Sequence, residues 1–213
     1  LFRPGDDRIL RTADYLRDHS SFGGGFFQNM IHSGINAYLT LHLAQVRLRA
    51  GDAETAWQLM DTVERLATET GQWPEAIHPK TRGGCMGDGQ HMWAACEWAL
   101  MIRNCFLREE AETPATARAG RLVIASGVRP SWWQNGHASL GPTLTPFGAV
   151  SVRVEKAART EETAGGEKGD AVSVTVEAEW RGTPPPLEVR LPGFAPQVRT
   201  AAGARELFRF SPP

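Results

Sequence analysis

TGQWPEAIHPKTRGGCMGDGQHMW, residues Thr70 to Trp93, separates two helical patterns and gathers the least ordinary residues of the chain. One carboxylate, Glu75, follows Trp73-Pro74 and precedes Ile77. His78, Arg82 and a glycine-rich turn (Gly83, Gly84, Gly87, Gly89) come next, and Asp88, Gln90 and His91 stand where the following helix begins. A connection of about twenty residues is longer than packing requires, and such loops are usually functional or disordered. Its aromatic, proline and glycine content is not that of a disordered segment.

Upstream, Asp6 and Asp7 open a helix to about Asp18 with Ile9, Leu10, Ala13 and Leu16 on one side and arginines on the others. SSFGGGFFQN is a second glycine-rich loop, carrying Phe27, Gln28 and Asn29 toward a helix expected from about Met30 to Arg49. That helix is apolar on nearly every side, the mark of burial among other elements. Gly51 ends it and Asp52 caps a third, two-faced helix to about Thr68. Beyond the long loop, with Asp88 as the expected cap, Met92 to Phe106 again runs apolar around the cylinder. The order outer, inner, outer, inner, with long loops entering each inner helix, predicts part of a ring of helix pairs whose loops line a pocket at one end. Four helices do not close such a ring, so the segment reads as an arc of something larger, and LFRPGDD reads as a cut into a longer protein.

From Arg121 the apolar period becomes two. Val150, Val152 and Val154 alternate with polar residues, as do Val172, Val174 and Val176, and then Leu187, Val189 and Leu191. These predict half-buried strands of an antiparallel β-sandwich, with the charged run from Lys156 to Asp170 as a mobile hairpin tip. The expected organisation is α plus β in two domains: a partial (α/α) toroid of about four helices over 1–114 and a sandwich over 115–213. Trp132, Trp133 and His137 at the junction read as packing rather than as a sugar site.

The 213 residues carry a formal net charge of -1 and are 41% hydrophobic. No basic field is available to attract nucleic acid, and no apolar run reaches the roughly 18 residues of a membrane span. Cys85, Cys96 and Cys105 cannot all pair with one another, which points to thiols and a cytoplasmic setting. Cys85, His78 and His91 do not have the spacing of a zinc site, so neither a metal nor a cofactor is expected.

The alternating helices, Glu75 in the long loop, Trp93 in the inner helix after it and the turn EAIHPKTRGG together resemble the six-hairpin, or (α/α)6-barrel, glycosidase clan of glucoamylases and debranching-type glucosidases. The resemblance covers Asp6 to Glu110; Arg82 before Gly83 and Ala76 after the glutamate depart from the glucoamylase pattern. It implies a glycoside hydrolase acting by inversion on an oligo- or polysaccharide, with Glu75 as the general base that activates water. Trp73 and Ile77 would leave that carboxylate partly desolvated, as acid–base work favours. An inverting enzyme also needs a carboxylic acid roughly 6.5 to 9.5 Å away. In the clan that acid lies on an earlier hairpin, so the resemblance implies a missing N-terminal barrel segment as partner and no activity from these residues alone; Asp88 is the nearest local substitute. Trp73, His78, Arg82 and Gln90, with Phe27, Gln28, Asn29 and His32 in the facing loop, are the expected sugar contacts.

Two other classes compete. Polysaccharide lyases also join helical toroids to sandwiches but need a catalytic tyrosine, and only Tyr15 and Tyr38 are present. In a non-catalytic carbohydrate-binding or scaffold protein, Glu75 would be structural.

Overall fold

A computed structural model describes residues 3–30, 33–111, 119–157 and 171–211. The chain is α+β and divides into two compact units, Leu1–Ile102 and Arg103–Pro213. Pro114, where the composition changes, and most of the charged run between Lys156 and Asp170 lie outside the described residues.

In the first unit the helices begin where local capping chemistry allows. Asp6 accepts from the Arg8 N–H at 3.0 Å to start α1 (Asp7–His19), and Asp52 accepts from the Thr55 N–H at 3.1 Å to start α3 (Ala53–Arg65). Between them α2 (Ala37–Ala50) ends on Gly51 at φ 90, the left-handed conformation that glycine adopts without strain. α2 starts seven residues after the expected Met30, because Gly34–Ile35 forms a strand and Asn36 is the cap. α1 and α3 each pack on α2. Ala56, Met60 and Val63 of α3 and Ala37, Leu41, Ala44 and Leu48 of α2 are fully enclosed, as their spacing predicts.

The two long loops are not loops throughout. β1 (Ser21–Phe22), β2 (Gly25–Gln28), β3 (Gly34–Ile35), β4 (Ala76–Ile77) and β5 (Gly84–Met86) form one antiparallel sheet in that order. The α2–α3 hairpin is inserted between β3 and β4. Ile35 opposite Ile77 is the pairing that joins the loop before α2 to the loop after α3. α4 (Met92–Phe106) then leaves the sheet with Ala94 and Met101 buried, while Met92, Trp93, Ala95, Cys96, Ala99 and Leu100 are exposed. At 100° per residue those six positions form one continuous apolar arc. α4 has an inner helix's composition and, in this chain, one uncovered side.

The second unit holds two four-stranded sheets. β8 (His137–Thr145), β9 (Gly148–Lys156), β10 (Val172–Trp180) and β13 (Arg205–Phe210) are antiparallel in the order β13-β10-β9-β8. Val174 opposes Val154 and Val176 opposes Val152, so the alternating valines share a face. Ser173 and Thr175 are buried too, so β10 is enclosed on both faces rather than half-buried. The other sheet orders β12 (Gln197–Thr200), β11 (Pro186–Val189), β7 (Ala119–Ile124) and β6 (Leu107–Ala111). Its β7–β11 pair is parallel, an exception to the expected antiparallel pattern. Side chains join the two sheets where β12 meets β13: Gln197 Nε2 donates to Arg209 O at 2.7 Å, and the Arg199 guanidinium lies 4.9 Å from the Phe208 ring centre. Trp133 on the short helix α5 (Pro130–Trp133) is buried, and Trp132 stacks on Phe106, as packing residues do.

The three cysteines are thiols, not disulfides, and burial pushes Cys105 up to about 12. Among the described residues no helix is long and apolar enough to cross a membrane.

Candidate functional site

Glu75 enters β4 just after the buried Trp73 and Pro74, and its main chain is held on both sides. Its N–H donates to Asp88 O at 3.3 Å, and its carbonyl accepts from Asn36 Nδ2 at 3.1 Å. The side chain lies against Gly87: a Cβ built there would stand 2.1 Å from Glu75 Oε2 and 2.6 Å from its Cβ. Among the described residues the carboxylate has no hydrogen-bonding or ion-pair partner. Pro74 and the run from Gly84 to Gly89 line a shallow groove of about 510 Å³. Glu75 is not itself a lining residue of the groove; it follows Pro74 and lies half-buried against Gly87.

Asn36 is the residue that sequence reasoning missed. It is fully buried, and its Oδ1 caps α2 by accepting from the Leu39 N–H at 3.0 Å. Its Nδ2 reaches both Gln28 Oε1, at 3.3 Å, and the Glu75 carbonyl. One amide therefore fixes a helix start, the β2 loop and the candidate base, and the only local signal for it is an asparagine before a helix. Asn36→Ala removes a cap worth about 1 kcal/mol and leaves buried acceptors unpaired at a further cost of about 1–3 kcal/mol. Chemical denaturation should show a loss of at least about 2 kcal/mol; a loss below about 0.5 kcal/mol would contradict the clamp.

The glycine at position 87 is equally specific. It has φ +66, and its α-carbon touches the Glu75 side chain. Gly87→Ala adds left-handed strain of about 1–2 kcal/mol and pushes the Glu75 carboxylate aside. Lower thermal stability is expected, and an unchanged melting temperature would show that the carboxylate does not depend on this contact.

The other expected contacts divide. Gln28 is bound to Asn36, next to Glu75. Asn29 is exposed on the same loop, its Oδ1 accepting from Ser33 Oγ at 3.4 Å, and Phe27 is half-buried against Phe22. Gln90 is exposed beyond the groove-lining run, and His32 lies outside the described residues. Trp73 does not offer a face to a ligand: it is 5% exposed, its indole N–H donates to Val63 O at 2.7 Å, and its ring meets Trp98 at 5.5 Å. His78 Nδ1 accepts from the Lys80 and Thr81 N–H groups, closing its own loop. Arg82, at φ 61, donates to the carbonyl of Arg65, the last residue of α3, and so ties the loop to a helix end instead of reaching Glu75. Asp88 is four residues short of α4. The helix begins at Met92, with Ala95 N–H donating to His91 O, because His91 is anchored through its N–H to Trp73 O. Asp88 therefore serves the site through its carbonyl and does not cap the helix.

On α2 and α4 a second group assembles from residues that are distant in sequence. Trp93 stacks on Tyr38, Trp93 Nε1 donates to Glu97 Oε1 at 3.2 Å, and His42 Nε2 lies 3.1 Å from the same oxygen. Tyr15 is exposed on α1, stacked on His19, so the two tyrosines are in different settings. Among the described residues no group of three His, Cys, Asp or Glu side chains is placed to hold a metal ion.

Compared with protein-family models, curated proteins and solved structures, the chain matches none.

Proposed function

We propose that these residues belong to a glycoside hydrolase that inverts the anomeric centre of an oligo- or polysaccharide, with Glu75 as general base. The observation that carries this reading is the Glu75 carboxylate, which has no partner among the described residues, is fixed through its main chain and lies against Gly87, a residue that with Pro74 lines the groove. A carboxylate that no arginine, lysine or amide engages is free to take a proton from water. Gln28, joined to the same place through Asn36, and Asn29, next to it and exposed, are the polar groups this reading assigns to sugar hydroxyls.

The uncovered apolar arc of α4 supports the finer architecture of a partial (α/α) toroid, in which a further helix pair covers Met92, Cys96 and Leu100. The two sheets of the second unit, stitched by Gln197 and Arg199, support a β-sandwich. Inversion also needs a carboxylic acid on the opposite side of the sugar, and in this reading a segment outside these 213 residues supplies it.

A lyase remains the second class. Tyr38, the tyrosine nearer the loops, is 6% exposed and sandwiched among aromatic rings, which argues against proton abstraction from a bulky substrate. The complete protein, incubated with a panel of neutral and acidic polysaccharides, separates the two. New reducing ends without ultraviolet absorbance are expected; products carrying a conjugated double bond would replace the hydrolase assignment with a lyase.

A further inference from the structure

One face of the sheet built by β6, β7 and β11 is charged. Arg108 and Glu110 stand two residues apart on β6 and point the same way; Arg121 on β7 opposes Glu110, and Glu188 on β11 opposes Val123, two residues past Arg121. Arg190 follows β11, its N–H donating to Ile124 O at 2.9 Å. The buried Glu110 carboxylate is shared by three guanidiniums, Arg108 at 3.1 Å, Arg121 at 2.6 Å and Arg190 at 3.7 Å. Glu188 takes Arg121 Nε on one oxygen at 3.2 Å and Arg190 Nε on the other at 2.6 Å. Three cations thus meet two anions in this network, an excess of one positive charge among the described residues. Arg108 is fully buried, whereas the Arg121 and Arg190 side chains are 43% and 27% exposed.

Arg121 and Arg190 are therefore two like charges pinned by the same two carboxylates, with their side-chain freedom already spent on the fold. Arg121 Nη1 and Arg190 Nη2 have no partner among the described residues. A planar carboxylate binds arginine best through a fork of two parallel N–H bonds. That fork is taken on Arg121, whose Nε and Nη2 both reach Glu110 Oε2, at 3.1 and 2.6 Å, and on Arg190 the Nε is held by Glu188. What remains is one amino group on each of two arginines. A tetrahedral oxyanion, with several oxygens pointing in different directions, can accept from both and supplies the missing negative charge; a neutral ligand would leave the excess uncompensated. We propose that Arg121 and Arg190 form a binding site for a phosphate group, free or esterified, with Glu110 and Glu188 fixing the two guanidiniums from behind. The site does not rest on the glycosidase reading.

The test titrates the full chain with inorganic phosphate and with glucose 6-phosphate, following binding heat and melting temperature, against sodium acetate and sodium chloride at the same ionic strength. Both phosphates should bind saturably, and about 10 mM of either should raise the melting temperature by about 3 °C over chloride. Tighter binding of the ester would support an organic phosphate as the source, and tighter binding of the inorganic ion a free one. Arg190→Gln should weaken binding about tenfold or more, the loss expected for a hydrogen bond from a charged group. Arg190→Lys keeps the charge and guards against misfolding; binding should persist, several-fold weaker. Arg153→Gln alters an exposed arginine paired with Glu155 on the other sheet and should leave affinity unchanged. No saturable binding of either phosphate, stabilisation by acetate or chloride equal to that by phosphate, unchanged affinity in Arg190→Gln, or an equal loss in Arg153→Gln would overturn the site. The readout is binding in the second unit, so its failure leaves the Glu75 assignment standing, and a failure of that assignment in turnover assays leaves this site standing.

Discussion

Glu75→Gln in the complete protein is expected to lower turnover by about 10² to 10⁴ while leaving substrate affinity unchanged. That factor corresponds to about 2.7–5.4 kcal/mol of transition-state stabilisation. Glutamine keeps the shape and most of the hydrogen-bonding capacity of the side chain but does not accept a proton at neutral pH. The main chain at position 75 is fixed by Asp88 O and Asn36 Nδ2, so the amide should occupy the same place as the carboxylate. No ion pair among the described residues is broken, so stability should change by less than about 0.5 kcal/mol. A structural role predicts the reverse pattern, stability lost and chemistry spared. Unchanged turnover in a folded variant would end the assignment of a base here.

Glu110→Ala should destabilise the second unit by about 3–5 kcal/mol, because it removes one partner from a buried ion pair and leaves the other charge uncompensated. Arg108 is 0% exposed; it donates to Glu110 Oε1 at 3.1 Å and to Ser126 Oγ. Arg121 bonds Glu110 Oε2 at 2.6 Å, and Arg190 stands 3.7 Å from Oε1 while holding Glu188. The network links β6, β7 and β11. Burial alone would raise the Glu110 carboxyl, but the Arg121 hydrogen bond and the charges of Arg108, Arg190 and Arg121 outweigh it and hold it below its ordinary value. A depressed carboxylate contributes stability above the unfolded-state value of about 4.3, and that contribution is lost as pH falls through the folded value. Denaturation measured from about pH 6 downward should show a steeper acid loss in the native protein than in Glu110→Gln; parallel curves would contradict the account.

Asp6, Gly51 and Asp52 were legible in the sequence because capping is local chemistry, settled within three residues. Val150 to Val154 and Val172 to Val176 were legible because apolar alternation marks a strand. The five-stranded ribbon was not, since segments such as Ala76–Ile77 are too short to show any period. β6 was hidden differently: its buried positions include Arg108 and Glu110, so the residues that alternate inward are charged. Asp88 was misplaced as a cap because the start of α4 is fixed by a long-range bond, His91 N–H to Trp73 O. Glu75 stood out as a carboxylate between Trp73-Pro74 and Ile77. Asn36 and the His42–Glu97 pair did not, because their partners lie on other elements, 39 residues away for Asn36 and Glu75.

The claim beneath these assignments is that water, activated by Glu75, attacks the anomeric carbon from the face opposite the leaving group. Proton NMR of the complete protein acting on a substrate of known anomeric configuration, recorded within the first turnovers and before mutarotation, reads that stereochemistry directly. The inverted anomer should appear first. First appearance of the retained anomer would instead require a covalent intermediate and a carboxylate pair about 5 Å apart, and would contradict the role given to Glu75.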